Sequence, residues 1–260
     1  MRIITPCTLE RFSQSTSHVR ELDVMLLEEI RSELGRLADP AVRKKSIVWE
    51  KQYYESPQLY GLPAAVVRKI SSRFYQQVKK FSKREIFGFC EELLGSEMIE
   101  ERAIAFDWAF RVKKDYERSD FHVFGNWLKK YVHGWGGCDD LCTHAFWAFL
   151  FQFPEFVSNV KEWAGSKNRW LRRACAVVTI YSVQRKKHLE NVFEIADLLL
   201  TDSDVMVQKG YGWMLKEASN HYPQEVFDYV MKHKLEMPRT ALRYAIEKMP
   251  SRMKTEAMKK

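Results

Sequence analysis

The segment HGWGGCDDLCTH, residues 133–144, places two cysteines, two aspartates and two histidines within a single short stretch. All of these side chains can ligate a metal ion. The stretch contains no C-x-x-C pair, however, and the chain offers no second ligand pair at a matching distance, as the familiar zinc sites have. The spacing therefore argues against a metal site, and we expect Cys138, Cys142 and His144 to pack within the fold.

The same segment holds a tryptophan and an aspartate four positions apart, Trp135 and Asp139. The intervening Gly136 and Gly137 would let the chain enter a helix while presenting the side chains of Trp135 and Asp139 at one opening of the surface. On this segment alone, a purely structural interpretation is favoured. Asp139 or Asp140 would then be an ordinary helix N-cap, and the tryptophan would pack as a staple before the helix.

A second segment, SKNRWLRRACAVV, predicts a helix that opens with Trp170, Arg172 and Arg173 and continues with apolar residues. At least one of these arginines must point away from the core, because unpaired charges are costly to bury. The arginine is either a functional group or a solvated residue at a helix start.

In a third segment, VQKGYGWMLKEAS, Lys209 and Trp213 are one helical turn apart. Gly210 and Gly212 remove bulk beside the tryptophan, which leaves room for a ligand to approach its ring. The alternative is that these glycines permit close packing between helices.

The pattern of the whole chain predicts the elements that must position these groups. Apolar residues recur at spacings of three and four, sustained alternation is hard to find, and 11 glycines and 8 prolines are few for 260 residues. An all-α fold is therefore expected. In the first helix one apolar stripe is formed by Val24, Leu27, Ile30, Leu34 and Leu37, and Gly35 and Pro40 mark its end.

Five of the predicted helices resemble one another and recur at a nearly constant interval. They begin at Glu101, Cys138, Leu171, Val207 and Thr240, at intervals of 37, 33, 36 and 33 residues. Stacked helical pairs of HEAT type have this organisation. We predict a curved solenoid of HEAT-like helical repeats, an α-α superhelix, in which residues 1–260 form a single domain and residues 1–20 are a poorly ordered or extra N-terminal segment. The second helix of each pair would line the concave side, where Asp139 and Arg173 would be neighbours.

Charge and composition narrow the classes of function. The chain has 42 lysines and arginines against 34 aspartates and glutamates, which gives a net charge of +8. This charge favours nucleic acid as the partner, with an anionic membrane surface as the second candidate. The alternative is a basic surface that serves only solubility. No apolar stretch is long enough to span a membrane and no apolar signal core is present, so a cytoplasmic protein is expected. Five scattered cysteines, an odd number, favour reduced thiols. The chain has no P-loop, G-x-G-x-x-G or G-x-S-x-G motif, which leaves phosphoryl transfer, dehydrogenation and triad hydrolysis without support.

Two tryptophans, a carboxylate and an arginine would together form an acidic, aromatic notch on a basic concave surface. Aromatic faces attract cations, a carboxylate stabilises positive charge, and surrounding basic residues bind a phosphate backbone. The group best suited to such a notch is a cationic base carried on DNA. Purines alkylated at N3 or N7 are such bases, and their departure generates an oxocarbenium-like sugar that a carboxylate stabilises.

At these residues the sequence resembles the DNA alkylation repair glycosylases built from HEAT-like repeats. The resemblance runs from about residue 20 to about residue 250. The family's Phe or Tyr, Gly, aliphatic element is matched by YGLPAAVVRKISSRF from Tyr60, and its Trp followed four residues later by Asp is matched by Trp135 and Asp139. Its W-x-x-R-A element is matched by WLRRA, which contains Arg173, and its Q-K-x-x-G-W-x-L-[RK]-E element by QKGYGWMLKE, which contains Trp213.

The resemblance implies a monofunctional glycosylase that releases N3- and N7-alkylpurines from duplex DNA without a metal or organic cofactor. A monomer is expected, because a curved solenoid that wraps DNA needs no partner. It implies that Asp139 positions the attacking water and stabilises the sugar cation, and that Trp135 and Trp213 contact the lesion-bearing nucleotide. Arg173 would hold the DNA backbone. We expect Lys209 to bind DNA as well. The alternative is a catalytically inactive HEAT-like module that binds DNA or serves as a protein scaffold.

Overall fold

The computed structural model describes residues 24–54, 56–185 and 188–259. Within these ranges the regular structure is helical, apart from one isolated bridge between Gln58 and Met98. The all-α prediction is therefore confirmed. The prediction for residues 1–20 lies outside the described residues. No helix of the described ranges is long and apolar enough to cross a bilayer.

The contacts divide the chain into two compact units, one ending at Trp108 and one beginning at Ala109. That residues 1–260 form a single domain stays a prediction, and each unit is described by itself. The helices up to the boundary are α1 (24–36), α2 (Pro40–Glu50), α3 (Ala64–Val78), α4 (Lys83–Leu94) and α5 (Ile99–Arg111), whose last turn crosses it. The helices of the second unit are α6 (Asp120–Lys130), α7 (Trp135–Thr143), α8 (Ala145–Gln152), α9 (Val157–Glu162), α10 (Arg169–Val177), α11 (Ile180–Gln184), α12 (Leu189–Leu199), α13 (Val205–Ser219), α14 (Pro223–His233), α15 (Arg239–Ala245) and α16 (Ser251–Met258).

In the first unit, a buried carboxylate holds the loop that leads into α3. Glu100 accepts hydrogen bonds from the backbone N–H groups of Tyr60, Gly61 and Leu62 at 3.0, 2.8 and 3.1 Å. Glu100 is 4% exposed, so these donors replace the water that its charge has lost. Gly61 has a φ of 95°, a left-handed conformation that favours glycine. The YGLP element is thus fixed by a glutamate forty residues away, at the start of α5.

The stripe of α1 is mostly as predicted. Leu27, Ile30 and Leu34 are buried. Val24 is exposed, however, and Leu26 takes its place in the core. The prediction for Val24 was wrong because the apolar stripe is shifted toward Leu26 in the first turn.

In the second unit, the repeating helices stack in chain order: α10 packs against α7 and α13, and α13 packs against α15. Together with α5 they begin at intervals of 36, 34, 36 and 34 residues, which confirms the helical-repeat fold. Each begins one to three residues earlier than its sequence pattern indicated. For α10 and α13 the reason is a polar cap, since Asn168 and Asp204 accept hydrogen bonds from the first turn of their helices.

Two helices of this stack, α13 and α15, approach closely at Gly212 of α13. A Cβ atom at this position would lie 2.8 Å from the carbonyl oxygen of Ala241 and 2.7 Å from Cβ of Tyr244, both on α15. The helix interface therefore requires glycine here. Of the two interpretations that the sequence left open for Gly212, close helix packing is confirmed.

Candidate active site

The helix that carries Asp139 begins earlier than an N-cap aspartate would require. Gly134 is extended, with φ −143° and ψ 160°, and α7 starts at Trp135 and continues through Gly136 and Gly137. Asp139 and Asp140 therefore lie inside the helix, and neither caps its N-terminus. The N-cap interpretation of these aspartates was wrong, because the glycine pair continues the helix where the sequence suggested a break.

Because α7 begins at Trp135, both this residue and Asp139 lie on the helix. Their spacing of four positions places them on one helical face, about 6 Å apart along the helix axis. Both are partly exposed. The other side of the helix is formed by Cys138, Leu141 and Cys142, which are fully buried. The core therefore holds α7 so that the tryptophan and the carboxylate remain accessible at its surface.

Asp139 contacts Arg173 on the neighbouring helix α10. Nε of Arg173 donates to Oδ1 of Asp139 and Nη2 donates to Oδ2, each at 2.8 Å. This is the two-point geometry in which a guanidinium matches a carboxylate best. The side chain of Asp139 is 16% exposed and that of Arg173 is 6% exposed. The pair is thus shielded from water, with the carboxylate on its more accessible side.

The remaining contacts of Arg173 join the pair to a third helix. Its Nη1 donates to the backbone oxygen of Met206, in the first turn of α13, at 2.5 Å. A Cβ atom on Gly210, one turn further along α13, would lie 3.1 Å from Cγ of Arg173. Gly210 therefore leaves the space that the side chain of Arg173 occupies. The sequence indicated only that the glycines of this segment provide space, and did not indicate that Arg173 fills it.

The electrostatics of this pair follow from burial. Loss of water raises the pKa of Asp139 above the ordinary aspartate value, the hydrogen bonds and charge of Arg173 oppose that rise, and neighbouring Asp140 adds to it. Burial alone would lower the pKa of Arg173, but the carboxylate of Asp139 outweighs this and raises it. We conclude that Arg173 keeps its charge and limits the rise at Asp139.

Asp140 faces a different environment. Its Oδ1 lies 3.2 Å from Nδ1 of His144, and the same ring nitrogen is 2.9 Å from the backbone oxygen of Asp140. His144 is exposed and its ring contacts Phe110 edge-on. The expectation that His144 packs inside was therefore wrong, because α7 ends at Thr143 and the histidine turns outward. The same expectation is confirmed for Cys138 and Cys142.

The third element of the candidate site is one face of α13. Lys209 and Trp213 are one turn apart and partly exposed, and Gly210, which contacts Arg173, lies between them. The indole Nε1 of Trp213 donates to Oε1 of Glu217 at 3.0 Å. Sequence reasoning missed Glu217, although an acidic residue four positions after a tryptophan on a helix is a signal that could have identified it.

The structure thus brings Asp139 and Arg173 into direct contact and places Trp135, Lys209 and Trp213 on the same three packed helices, α7, α10 and α13. An ionised carboxylate offers about four lone-pair sites, and Arg173 uses two of them. The others are available to orient a water molecule or to stabilise a positive charge. Across the described ranges, no group of three or more His, Cys, Asp or Glu side chains is arranged to hold a metal ion.

Structural comparison identifies several solved proteins with this fold. One described as a predicted DNA alkylation repair enzyme from Enterococcus faecalis has a TM-score of 0.71 at 17% identity, over 82% of this chain and 97% of the other. AlkD2 from Streptococcus mutans has a TM-score of 0.56 at 20% identity, over 71% and 91% of the two chains. The protein smu.31 from Streptococcus mutans UA159 has a TM-score of 0.53 at 20% identity, over 71% and 97%. At these identities the likeness shows a shared fold.

The family evidence comes from the sequence. No curated protein sequence matches the chain. The sequence model of the family described as DNA alkylation repair enzyme matches residues 30–249, which include Trp135, Asp139, Arg173 and Trp213. Because this match extends over most of the chain, the protein belongs to the DNA alkylation repair enzyme family.

Proposed function

We propose that this protein is a DNA N-glycosylase that excises cationic N3- and N7-alkylated purines from duplex DNA by hydrolysis of the N-glycosidic bond. Family membership supports an enzyme of DNA repair. The observation that carries the finer proposal is the Asp139–Arg173 pair, a shielded carboxylate held at both oxygens and flanked on its own helix by Trp135.

Hydrolysis of the N-glycosidic bond requires a positive charge to be stabilised at two stages. Before bond cleavage the alkylated base is a cation, and the partly exposed rings of Trp135 and Trp213 attract it. As the bond breaks, positive charge moves to the sugar, where the carboxylate of Asp139 stabilises it and orients the water that attacks. The base leaves as a neutral molecule with the electron pair of the glycosidic bond. Water adds to the sugar cation and loses one proton to solvent, which gives the hydroxyl group of the abasic sugar. The backbone remains intact, so the enzyme is monofunctional.

Arg173 takes a second role in this scheme besides the expected contact with the DNA backbone. It has five N–H donors, of which three are used for Asp139 and Met206. It therefore fixes the direction of the carboxylate and favours its ionised form. Lys209, on the Trp213 face of α13, contributes to binding the phosphate backbone, which the net charge of +8 favours in general.

The test is direct detection of released bases. Duplex DNA methylated at purine N3 and N7 is incubated with the protein, and free bases are quantified by mass spectrometry. We expect 3-methyladenine or 7-methylguanine to accumulate with time and enzyme concentration. Binding that is sensitive to salt and indifferent to the lesion, with no base released above the spontaneous rate, would instead identify a module that binds DNA without chemistry.

A further inference from the structure

The carboxylate of Glu217 is held in one place beside Trp213. Its Oε1 accepts the indole N–H of Trp213 at 3.0 Å. Its Oε2 accepts Nε2 of Gln184, the last residue of α11, at 3.0 Å and Nδ2 of Asn220, the C-cap of α13, at 3.3 Å. Glu217 and Trp213 are both partly buried. Three donors from two helices therefore fix the carboxylate, and the carboxylate in turn fixes the ring.

This contact has an electronic consequence as well as a geometric one. An indole N–H is only a donor, and a donor bonded to a charged acceptor is more strongly polarised than one bonded to a neutral acceptor. Polarisation by a negative oxygen at the ring edge increases electron density on the ring. An aromatic face with higher electron density attracts a cation more strongly. A purine base of the same shape without a positive charge gains nothing from this effect.

We propose that Glu217 is a positioning residue that makes Trp213 selective for positively charged bases over neutral bases of the same shape. The inference rests on the proposed function, because it takes Trp213 to contact the lesion-bearing nucleotide. Glu217 acts through the indole ring and contacts neither the sugar nor the scissile bond. Its contribution is therefore to recognition of the cation, and the attack of water remains with Asp139.

The test compares two duplexes that differ in one charge. One carries a single 7-methylguanine and the other its neutral isostere 7-deaza-7-methylguanine, both on a 2′-fluorinated sugar that resists cleavage. The measured quantity is the ratio of the Kd for the neutral duplex to the Kd for the cationic duplex. Glu217→Gln retains an oxygen that can accept the indole N–H but removes the charge. We expect this variant to lower the ratio about threefold or more, the range that a weakened cation–π contact implies.

Glu247→Gln is the matched control. Glu247 lies after α15 and its carboxylate binds Nζ of Lys216 at 3.2 Å, so the change in net charge is the same but Trp213 keeps its acceptor. We expect its ratio to equal that of the wild-type protein. An equal drop in both variants would show a general effect of net charge and would overturn the inference, as would a Glu217→Gln ratio identical to wild type.

Trp213→Phe gives an independent variant that does not depend on the folding of Glu217→Gln. Phenylalanine retains an aromatic face but lacks the N–H, so the ratio should fall, and adding Glu217→Gln to it should lower the ratio no further. A further drop in the double variant contradicts the inference. Failure of the proposed function gives a different result. A wild-type protein that releases no base and binds both duplexes equally would contradict the proposed function and, with it, the inference. If only the inference is wrong, the wild-type protein still releases the base and still prefers the cationic duplex.

Discussion

Arg173 donates to both carboxylate oxygens of Asp139, at 2.8 Å each, although 34 positions separate the two residues in the chain. The same guanidinium donates to the backbone oxygen of Met206. One arginine thus connects three consecutive repeat helices, α7, α10 and α13, at the point where the candidate catalytic carboxylate lies. Stability and chemistry should therefore respond together when this contact is changed.

Replacing Arg173 by glutamine should lower the free energy of unfolding by about 3–5 kcal/mol, because the buried carboxylate of Asp139 loses its charged partner. Urea unfolding followed by circular dichroism measures this change. Arg118→Gln is the control, since its ion pair with Glu155 is largely exposed and should contribute less than about 1 kcal/mol. An Arg173 variant as stable as the Arg118 variant would contradict the account of a shielded pair.

The acid limb of the pH–rate profile should report Asp139. Burial raises its pKa above the ordinary value of 3.8, and the ionised form is the one that stabilises the sugar cation. Base release should therefore fall, as the pH is lowered, at a higher pH than an ordinary aspartate would give. Arg173→Gln should move this limb to still higher pH, since the guanidinium opposes the rise. Single-turnover rates, corrected for spontaneous depurination, measure the acid limb in the wild-type protein and in the variant. A shift of the variant's acid limb to lower pH would contradict the assignment.

Two glycines in helices should respond in opposite ways to alanine. Gly212→Ala forces a methyl group against Ala241 and Tyr244 and should destabilise the protein by about 1–3 kcal/mol. Gly136→Ala meets no atom within 4 Å and should stabilise it by about 0.5–1 kcal/mol, because alanine favours a helix over glycine. Thermal unfolding compares the two. Equal effects would mean that the close approach of α13 and α15 does not set the requirement at Gly212.

The repeat architecture could be predicted from the sequence because it depends on apolar periodicity, which is local. The starts of α7, α10 and α13 were displaced by two or three residues, since a helix start depends on backbone conformation and on caps such as Asn168 and Asp204. The repeat interval also predicted that Asp139 and Arg173 would be neighbours. It did not predict the depth of burial of Arg173, because that depends on how α7 and α13 pack around the guanidinium.

Other features of the site could not be predicted from the sequence because they depend on side-chain direction. His144 was expected inside and is exposed, since its position after the end of α7 is set by the backbone there. Glu217 was overlooked although Trp213 and Asn220 lie within about one turn of it along α13. Its third partner, Gln184, becomes a neighbour only when α11 and α13 pack. The roles of Trp135, Lys209 and Trp213 stay predictions, which the experiments described above test.

The central claim is that Asp139 is the catalytic carboxylate, and the most direct test compares it with its neighbour. Asp139→Asn and Asp140→Asn make the same change in charge at adjacent positions, but the first removes the charge next to Arg173 and the second removes a partly exposed one next to His144. The measurement is the single-turnover rate of 7-methylguanine release from duplex DNA, at a temperature where both variants are folded and bind DNA. We predict that Asp139→Asn lowers this rate by about 10²–10⁴-fold and that Asp140→Asn stays close to wild type. Full activity in Asp139→Asn, or an equal loss in Asp140→Asn, would contradict the claim.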